Sequence, residues 1–514
     1  MRSARTARGA VAGILAGAAA IGVAQLAAGL TGPVGSPVVD VGQAAIDLSP
    51  PAVKDFAIST FGPHDKVVLV AGILVVLAAF AAVVGVMAMR RLLLGLAGVA
   101  LFGAVGVAAA LTRPAATPAD VLPTLLGVVA AAAALALLVR AAPPGQHEAA
   151  GPAPAVAGGP ERRSFLVTGV VTAGAAAAAG LGGRLLAERT SVARAQSALR
   201  FPAPANPAPR LPPGADLHIP GLSSFITPNS SFYRVDTAIV LPEVPPGSWR
   251  LRVHGMVRRE ITLSFDELIR RPLIADYITL TCVSDPVSGP YVGNALWLGA
   301  SLASVLREAG IRAGADQLLC TSVDGFTSGT PVQTVMDGRD ALLAVAMNGT
   351  ALPVEHGFPV RMVVPGLYGY VSACKWLTDI EVTTYARSVA YWAQRGWAPM
   401  GPIKTESRID VPTGQAALRP GRVPVAGVAW AQHKGIDAVE VRVDRGPWRQ
   451  ARLAAVPDID CWRQWVWYWD ATPGHHLIEA RATDATGYTQ TALTVPPAPN
   501  GASGYPSVQV TVLG

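Results

Sequence analysis

Ile278-Thr279-Leu280-Thr281-Cys282-Val283-Ser284-Asp285-Pro286-Val287-Ser288-Gly289 is the stretch on which the reading of this chain turns. The apolar run Ile278 to Thr281 has strand character. It stops at Cys282 and gives way to Ser, Asp, Pro and Gly, the residues that build turns. Cys282 therefore falls at a strand end, where its sulfur can face a cleft and serve as a metal thiolate. An isolated cysteine after a strand is otherwise a buried structural residue, so the flanking segments decide between the two.

Around this stretch, from 216 to 411, short β-type runs such as Tyr277 to Thr281 and Val360 to Val364 alternate with helix-like segments. In 300 to 309, Leu302, Val305, Leu306 and Ala309 share one helical face. The pattern predicts an α+β domain. After Pro412 to Pro424 the character changes, and 420 to 514 reads as a small β-sandwich. Ala438 to Val443 alternates, Trp465, Trp467 and Trp469 repeat at period two, and Leu477 to Thr483 runs into the turn Asp484-Ala485-Thr486-Gly487. The Trp stripe is assigned to core packing and to no chemistry. Cys282, Cys320, Cys374 and Cys461 form no CxxC pair, which argues against a zinc ribbon or an Fe–S run. Cys320 and Cys374 are either buried thiols or a disulfide, and Cys461 belongs to the sandwich.

Upstream the chain enters a different physical regime. Residues 1 to 186 are dominated by Ala, Val, Leu and Gly, and account for much of a composition that is 51% hydrophobic and 15% charged. Five stretches, about 10–30, 67–89, 92–112, 121–139 and 165–183, approach the roughly 20 residues that a helix needs to cross a bilayer. Arg2, Arg5, Arg8, Arg90, Arg91, Arg140, Arg162 and Arg163 fall on alternate loops of one side, and the other side holds chiefly Lys54, Lys66 and Arg113. Positive residues mark the cytoplasmic face. An odd number of spans then leaves the C-terminal half outside, so the expected location is a multi-pass cell membrane with an extracytoplasmic large domain. Arg162-Arg163-Ser164-Phe165-Leu166, ahead of a weakly hydrophobic stretch, reads either as an internal twin-arginine export signal or as a positive-inside pair. Residues 141 to 160 and the Pro-rich 187 to 215, with six prolines between 201 and 214, read as linkers, the second as a stalk.

Several function classes are disfavoured. The net charge of +7 comes without a dense Lys/Arg cluster interleaved with aromatics, so no nucleic-acid partner is expected. None of the eight histidines lies inside a span, which argues against an intramembrane haem. No charged residue sits at mid-depth of a span, so an anchor in lipid is a stronger reading than a transporter.

Five segments of the second module agree in type, order and spacing. They are Ile226-Thr-Pro-Asn-Ser-Ser-Phe-Tyr-Arg-Val-Asp236, Leu280-Thr-Cys-Val-Ser284, Met347-Asn-Gly-Thr-Ala-Leu-Pro353, His356-Gly-Phe-Pro-Val-Arg361 and Val364-Pro-Gly-Leu-Tyr-Gly-Tyr-Val-Ser-Ala-Cys-Lys-Trp376. Together, over roughly 225 to 411, the chain resembles the molybdopterin domain of the sulfite oxidase family. The resemblance implies a molybdenum–molybdopterin cofactor whose metal is held by two dithiolene sulfurs and one protein thiolate, and it assigns that thiolate to Cys282. It implies that Phe232, Tyr233 and Arg234 line one side of the cofactor and that Asp324 meets the pterin edge. His356 and Arg361 would approach the phosphate end, with Ser372 and Lys375 closing the loop. The last module resembles the immunoglobulin-like dimerisation domain of the same family through Val428-Ala-Trp430, Gln432-His433 and Gly504-Tyr505, which implies a homodimer.

The chain departs from sulfite-oxidising relatives at three places. Val287 stands where they carry an arginine, Asp236 where they carry a histidine, and Trp397, counted from Trp392, where they carry a tyrosine near the metal's oxo group. Sulfite, doubly negative, loses cationic partners by these changes. The expected activity is therefore a two-electron redox step or oxygen-atom transfer on a small, less charged substrate, with Cys282, Asp236 and Trp397 as catalytic candidates. With no CxxCH and no fused haem domain, electrons pass to or from a separate protein or a quinone. The alternative is a non-catalytic membrane receptor or structural protein that keeps the fold.

Overall fold

The computed structural model describes residues 2–31, 37–50, 53, 60, 65–112, 118–142, 160–189 and 192–514. It divides into two compact units, residues 1–191 with 238–242, and residues 192–237 with 243–514.

The first unit is helical: α1 (Arg2–Thr31), α2 (Pro37–Leu48), α3 (Asp65–Ala88), α4 (Leu92–Leu111), α5 (Leu122–Ala141) and α6 (Pro160–Arg189). Apart from α2, each is long and apolar enough to cross a membrane. Their bounds follow the five apolar stretches of the sequence. Several of these helices approach one another closely at small residues. A Cβ on Gly13 of α1 would lie 1.8 Å from the Ala81 carbonyl oxygen of α3, and one on Gly22 would lie 2.4 Å from that of Ala176 on α6. Arg162 and Arg163 fall in the first turn of α6. Most of the expected linker between 141 and 160 lies outside the described residues.

The second unit opens with ten strands: β1 (Arg250–Gly255), β2 (Ile261–Ser264), β3 (Leu273–Thr281), β4 (Val292–Ser301), β5 (Gln317–Ser322), β6 (Thr327–Pro331), β7 (Leu342–Met347), β8 (Thr350–Ala351), β9 (Arg361–Val363) and β10 (Leu377–Thr383). One sheet has the order β2-β1-β10-β5-β6, with β1 and β10 parallel. The other runs β3-β4-β7-β8, with β9 also on β7. The stretch read as helical from 300 to 309 is a helix over Leu302–Ala309. Ser301 Oγ accepts from Ser304 N at its start, and Gly310, at φ 72°, ends it in the left-handed region. Leu302, Val305, Leu306 and Ala309 are buried against the core between the sheets.

Strand β3 is an edge of its sheet, and an uncovered edge leaves backbone groups unpaired. The segment read as a stalk covers it: Ala205 N donates to Leu273 O at 2.8 Å and Ala275 N to Asn206 O at 2.9 Å. The expectation of a free Pro-rich stalk is therefore corrected. Proline lacks the donor for a full ladder, but Ala205 and Asn206 between the prolines supply one bridge.

The remaining strands are β11 (Glu406–Val411), β12 (Ala417–Leu418), β13 (Gly421–Trp430), β14 (Ile436–Val443), β15 (Arg449–Gln450), β16 (Arg452–Leu453), β17 (Arg463–Ala471), β18 (Gly474–Asp484) and β19 (Ser507–Val512). They form two sheets, β11-β13-β17-β16 and β12-β19-β18-β14-β15, around one core that holds Val425, Trp465 and Trp469 from the first and Val439, Ile478 and Val510 from the second. The Trp stripe is core, as its period of two requires. All four cysteines are free and buried, which settles the open choice for Cys320 and Cys374.

Candidate functional site

The site begins where β3 ends. Thr281 pairs with Val292 on β4, so Cys282 enters the connecting loop, and its N–H donates to Tyr291 O at 2.9 Å. The loop is tied from within. Asp285 N donates to Cys282 O at 3.2 Å, and Asp285 Oδ1 accepts from Tyr291 N at 2.9 Å. It is also tied from the sandwich, where Arg408 of β11 donates from Nη1 to Gly289 O at 3.0 Å. The thiol itself is 7% exposed and lies 2.9 Å from Ser284 Oγ. Burial pushes its pKa up, and the Ser284 hydroxyl partly offsets that. A thiolate at this place calls for a bound cation to stabilise it.

Beside the thiol stand the aromatic residues of the 226–236 segment. The Phe232 ring stacks on Tyr233 at 5.2 Å and meets Trp297 and His356 edge-on at 5.9 and 5.5 Å. Gly293 makes room for it, since a Cβ there would lie 2.8 Å from the ring. Burial and then the Cys282 sulfur hold the Tyr233 hydroxyl well above the ordinary tyrosine range, while Arg361 opposes them. Asn348, which sequence reasoning left without a role, fixes this segment. Its Oδ1 accepts from Leu296 N at 2.9 Å, and its Nδ2 donates to Thr227 O at 2.9 Å and Asn229 Oδ1 at 2.8 Å. The signal was present in Met347-Asn348-Gly349, because Asn tolerates the left-handed turn that it adopts here at φ 51°.

Beyond the rings lies a cationic group. Arg361, 5% exposed, donates from Nη1 to His356 O at 3.0 Å and from Nη2 to Ala373 O at 3.3 Å. Its Nε is buried and has no hydrogen-bond partner among the described residues. Burial lowers its pKa to about 10, which still leaves it charged at neutral pH. Lys375 Nζ sits 2.7 Å from Asp236 Oδ2 and 3.0 Å from Glu355 O, and burial brings it down to about 8. Arg234 grips both oxygens of Asp236, at 2.7 and 3.2 Å. His356 donates from Nε2 to Asn229 O over 3.1 Å, and burial followed by the Arg361 charge takes its pKa to about 4, so it is neutral at pH 7. Asp324 caps a turn at Phe326 N, and its carboxyl is raised by burial and by Asp236, with Lys375 opposing.

Asp236, Ser372 and Trp397 complete the surroundings. Asp236, expected beside the reacting centre, is the counter-ion of Arg234 and Lys375, with a side chain only 3% exposed. Ser372 is fully buried and donates back to Leu367 O and Tyr368 O at 2.9 and 3.1 Å, holding the 364–376 loop from inside. Trp397 tilts against Tyr370 at 6.2 Å and packs on the apolar cluster that contains Val283 and Tyr368.

The family model "Oxidoreductase molybdopterin binding domain" matches residues 238–392. Sulfite oxidase of Gallus gallus is 32% identical over 296 residues, which cover 48% of this chain and 63% of that protein. The oxidoreductase YuiH of Bacillus subtilis, described as uncharacterized, is 31% identical over 153 residues, covering 30% of this chain and 74% of that one. The chain belongs to the sulfite oxidase family. It spans 63%, 52% and 50% of the chicken, mouse and rat sulfite oxidases. Among solved structures, the sulfane dehydrogenase SoxCD of Paracoccus pantotrophus aligns at a TM-score of 0.47 with 24% identity, covering 52% of this chain and 75% of that chain. The family's cofactor is molybdenum–molybdopterin, and the donor set here fits it. A soft sulfur at a strand end, flanking aromatic rings, and a buried guanidinium with one N–H uncommitted match a metal, a flat heterocycle and a phosphate respectively.

Proposed function

We propose that this protein is a membrane-anchored, molybdopterin-dependent oxidoreductase that carries out a two-electron redox step or oxygen-atom transfer on a small substrate. The observation that carries the reading is the cluster in which Tyr233 neighbours both Cys282 and Arg361, and in which Arg361 neighbours Lys375, itself joined to Arg234 through Asp236. In that cluster Cys282 would supply the thiolate, Phe232 and Tyr233 would flank the pterin, and Arg361 with Lys375 would neutralise its phosphate.

Molybdenum held by a dithiolene and a thiolate supplies a two-electron couple. The chain's own part is to hold and orient. The hydrogen-bonded loop from Cys282 to Tyr291 fixes the direction of the sulfur. Neutral His356 keeps Phe232 edge-on and adds no charge. Val287 and Trp397, in place of the arginine and tyrosine of sulfite-oxidising relatives, support a substrate with less negative charge than sulfite.

The five apolar helices support a multi-pass anchor, and the arginine pattern supports an extracytoplasmic catalytic domain. Export of a folded, cofactor-loaded domain is consistent with Arg162-Arg163 acting as a twin-arginine signal. We assign the C-terminal sandwich as immunoglobulin-like, with homodimerisation its inherited role, and a separate protein or quinone as the electron partner.

The test is elemental analysis with pterin release on the full chain purified from its native membrane. Wild type is expected to hold molybdenum and pterin, and Cys282→Ala to lose turnover and alter the metal's coordination while retaining some pterin. Native protein that contains neither molybdenum nor pterin overturns the reading and favours the receptor.

A further inference from the structure

The free edge of β3 is closed by the sandwich directly ahead of Cys282. All three polar groups of Thr279 are committed there. Its N–H donates to Asp460 O at 2.9 Å, its carbonyl accepts from Gln432 Nε2 at 2.9 Å, and its Oγ1 accepts from Trp462 N at 2.7 Å. The same Gln432 Nε2 reaches Thr281 Oγ1 at 3.1 Å, one residue before the cysteine. Gln432 is 3% exposed and lies in the turn that joins β13 to β14, two residues past the end of β13, so the other domain presents it from a buried turn. Thr279 and Thr281 are fully buried. A buried amide that satisfies both a strand carbonyl and a side-chain hydroxyl fixes that strand's rotation as well as its position.

We propose that Gln432 is a positioning residue for the metal thiolate: by clamping Thr279 and Thr281, the sandwich sets the direction in which the Cys282 sulfur leaves the strand. This rests on the assignment of Cys282 as the metal ligand. It gives the C-terminal domain a role inside the active site of its own chain, separate from any dimer contact. The geometry explains why a domain without a cofactor ligand of its own packs so closely on the β3 edge. Without Gln432, Thr279 keeps its bonds to Asp460 and Trp462, but Thr281, next to the cysteine, loses its bond to the sandwich.

The test uses the full chain and two substitutions, Gln432→Ala and the near-isosteric Thr281→Val, alone and together. One readout is the rate at which iodoacetamide alkylates Cys282 in cofactor-free protein, followed on its own peptide; the other three thiols are more deeply buried. The second is the electron paramagnetic resonance signal of molybdenum in loaded protein. Each single variant is expected to unfold at the wild-type temperature within a few degrees, to speed alkylation by about fivefold or more as the strand end opens locally, and to shift the metal signal. The double variant is expected to add little to Gln432→Ala, because the contact that Thr281→Val removes is one of the two that Gln432→Ala already removes. An unchanged alkylation rate and metal signal in folded Gln432→Ala overturns the proposal, and Thr281→Val decides it if Gln432→Ala does not fold. If the native chain holds no molybdenum, the enzymatic reading fails, while the alkylation rates still decide whether Gln432 orients the sulfur.

Discussion

The Lys375 ammonium lies 2.7 Å from Asp236 Oδ2, and the same oxygen is 2.7 Å from Arg234 Nε. One buried carboxylate thus serves two cations, with Arg361 close enough to depress the lysine further. Arg234, Lys375 and Arg361 gather in one neighbourhood, with Asp236, Glu355 and Asp324 as the acidic groups around them, and a phosphate would find several donors there.

The titration of Lys375 gives this neighbourhood a pH dependence. Its folded pKa of about 8 lies below the ordinary lysine value, so the ammonium is largely present at pH 7 and is lost as pH rises through 8. The cost of burying the charge is correspondingly present below pH 8 and relieved toward 10.5. Pyrophosphate, used as a probe of the phosphate end in cofactor-free protein, is expected to bind more weakly as pH is raised from 7 to 9.5. Lys375→Met is expected to bind it about tenfold more weakly at pH 7, near the strength of one charge-assisted hydrogen bond, and to lose the step. A calorimetric titration that finds the same pH step in the variant refutes the assignment.

Removing the shared carboxylate acts in the opposite sense on stability. Asp236→Asn leaves Lys375, 10% exposed, without its counter-ion, and breaking a buried pair in this way costs about 3 kcal/mol. Arg234 is 40% exposed and adds little, since water screens it. Chemical denaturation of the cofactor-free chain should report the loss, smaller above pH 9 where Lys375 is neutral.

His356 is expected to destabilise the fold in acid. Its folded pKa of about 4 lies below the ordinary 6.5, so the unfolded chain binds more protons between those values, and stability falls as pH drops through that window. The full effect approaches about 3 kcal/mol. His356→Gln, which keeps a donor for Asn229 O, should flatten this part of the profile relative to wild type; parallel unfolding curves at pH 4 and 7 would contradict it.

Glu406 behaves in the reverse manner. It is 7% exposed with Oε1 unpartnered among the described residues, and burial followed by Asp285 raises it to about 8. The folded state therefore binds more protons than the unfolded one between 4.5 and 8, and stability declines as pH rises across that range. Glu406→Gln should match wild type near pH 5 and exceed it by about 2 kcal/mol or more at pH 9. Equal unfolding midpoints at pH 9 would show that the carboxyl is already ionised at no cost.

Much of this architecture was legible because it is local. The period-two Trp stripe announced β17, the shared face of Leu302, Val305, Leu306 and Ala309 announced its helix, and the break after Thr281 placed Cys282 at a strand end. What escaped was long-range pairing. Asp236 and Lys375 are 139 residues apart, and nothing in either neighbourhood tells a counter-ion from a reacting group. Gln432 and Thr279, separated by 153 residues, meet only because the edge of β3 must be closed by something. The segment around Ala205 reads as a stalk because prolines dominate its composition, yet Ala205 and Asn206 between them cover the start of that edge at Leu273 and Ala275.

The helical unit yields the last prediction. α1 meets α3 at Gly13, where a Cβ would stand 1.8 Å from the Ala81 carbonyl oxygen and 2.9 Å from Gly85 N. Neither neighbour is a flexible side chain, so the contact cannot be relieved by a rotamer change and the helices must separate. Separation removes the close contacts that hold helices together in lipid, where no hydrophobic term compensates. Gly13→Leu is therefore expected to lower the thermal stability of the helical unit in detergent by several degrees, while Gly72→Leu, at a position with open space around it, should leave it unchanged. A melting experiment in which the two variants behave alike would mean that α1 does not pack on α3 as described.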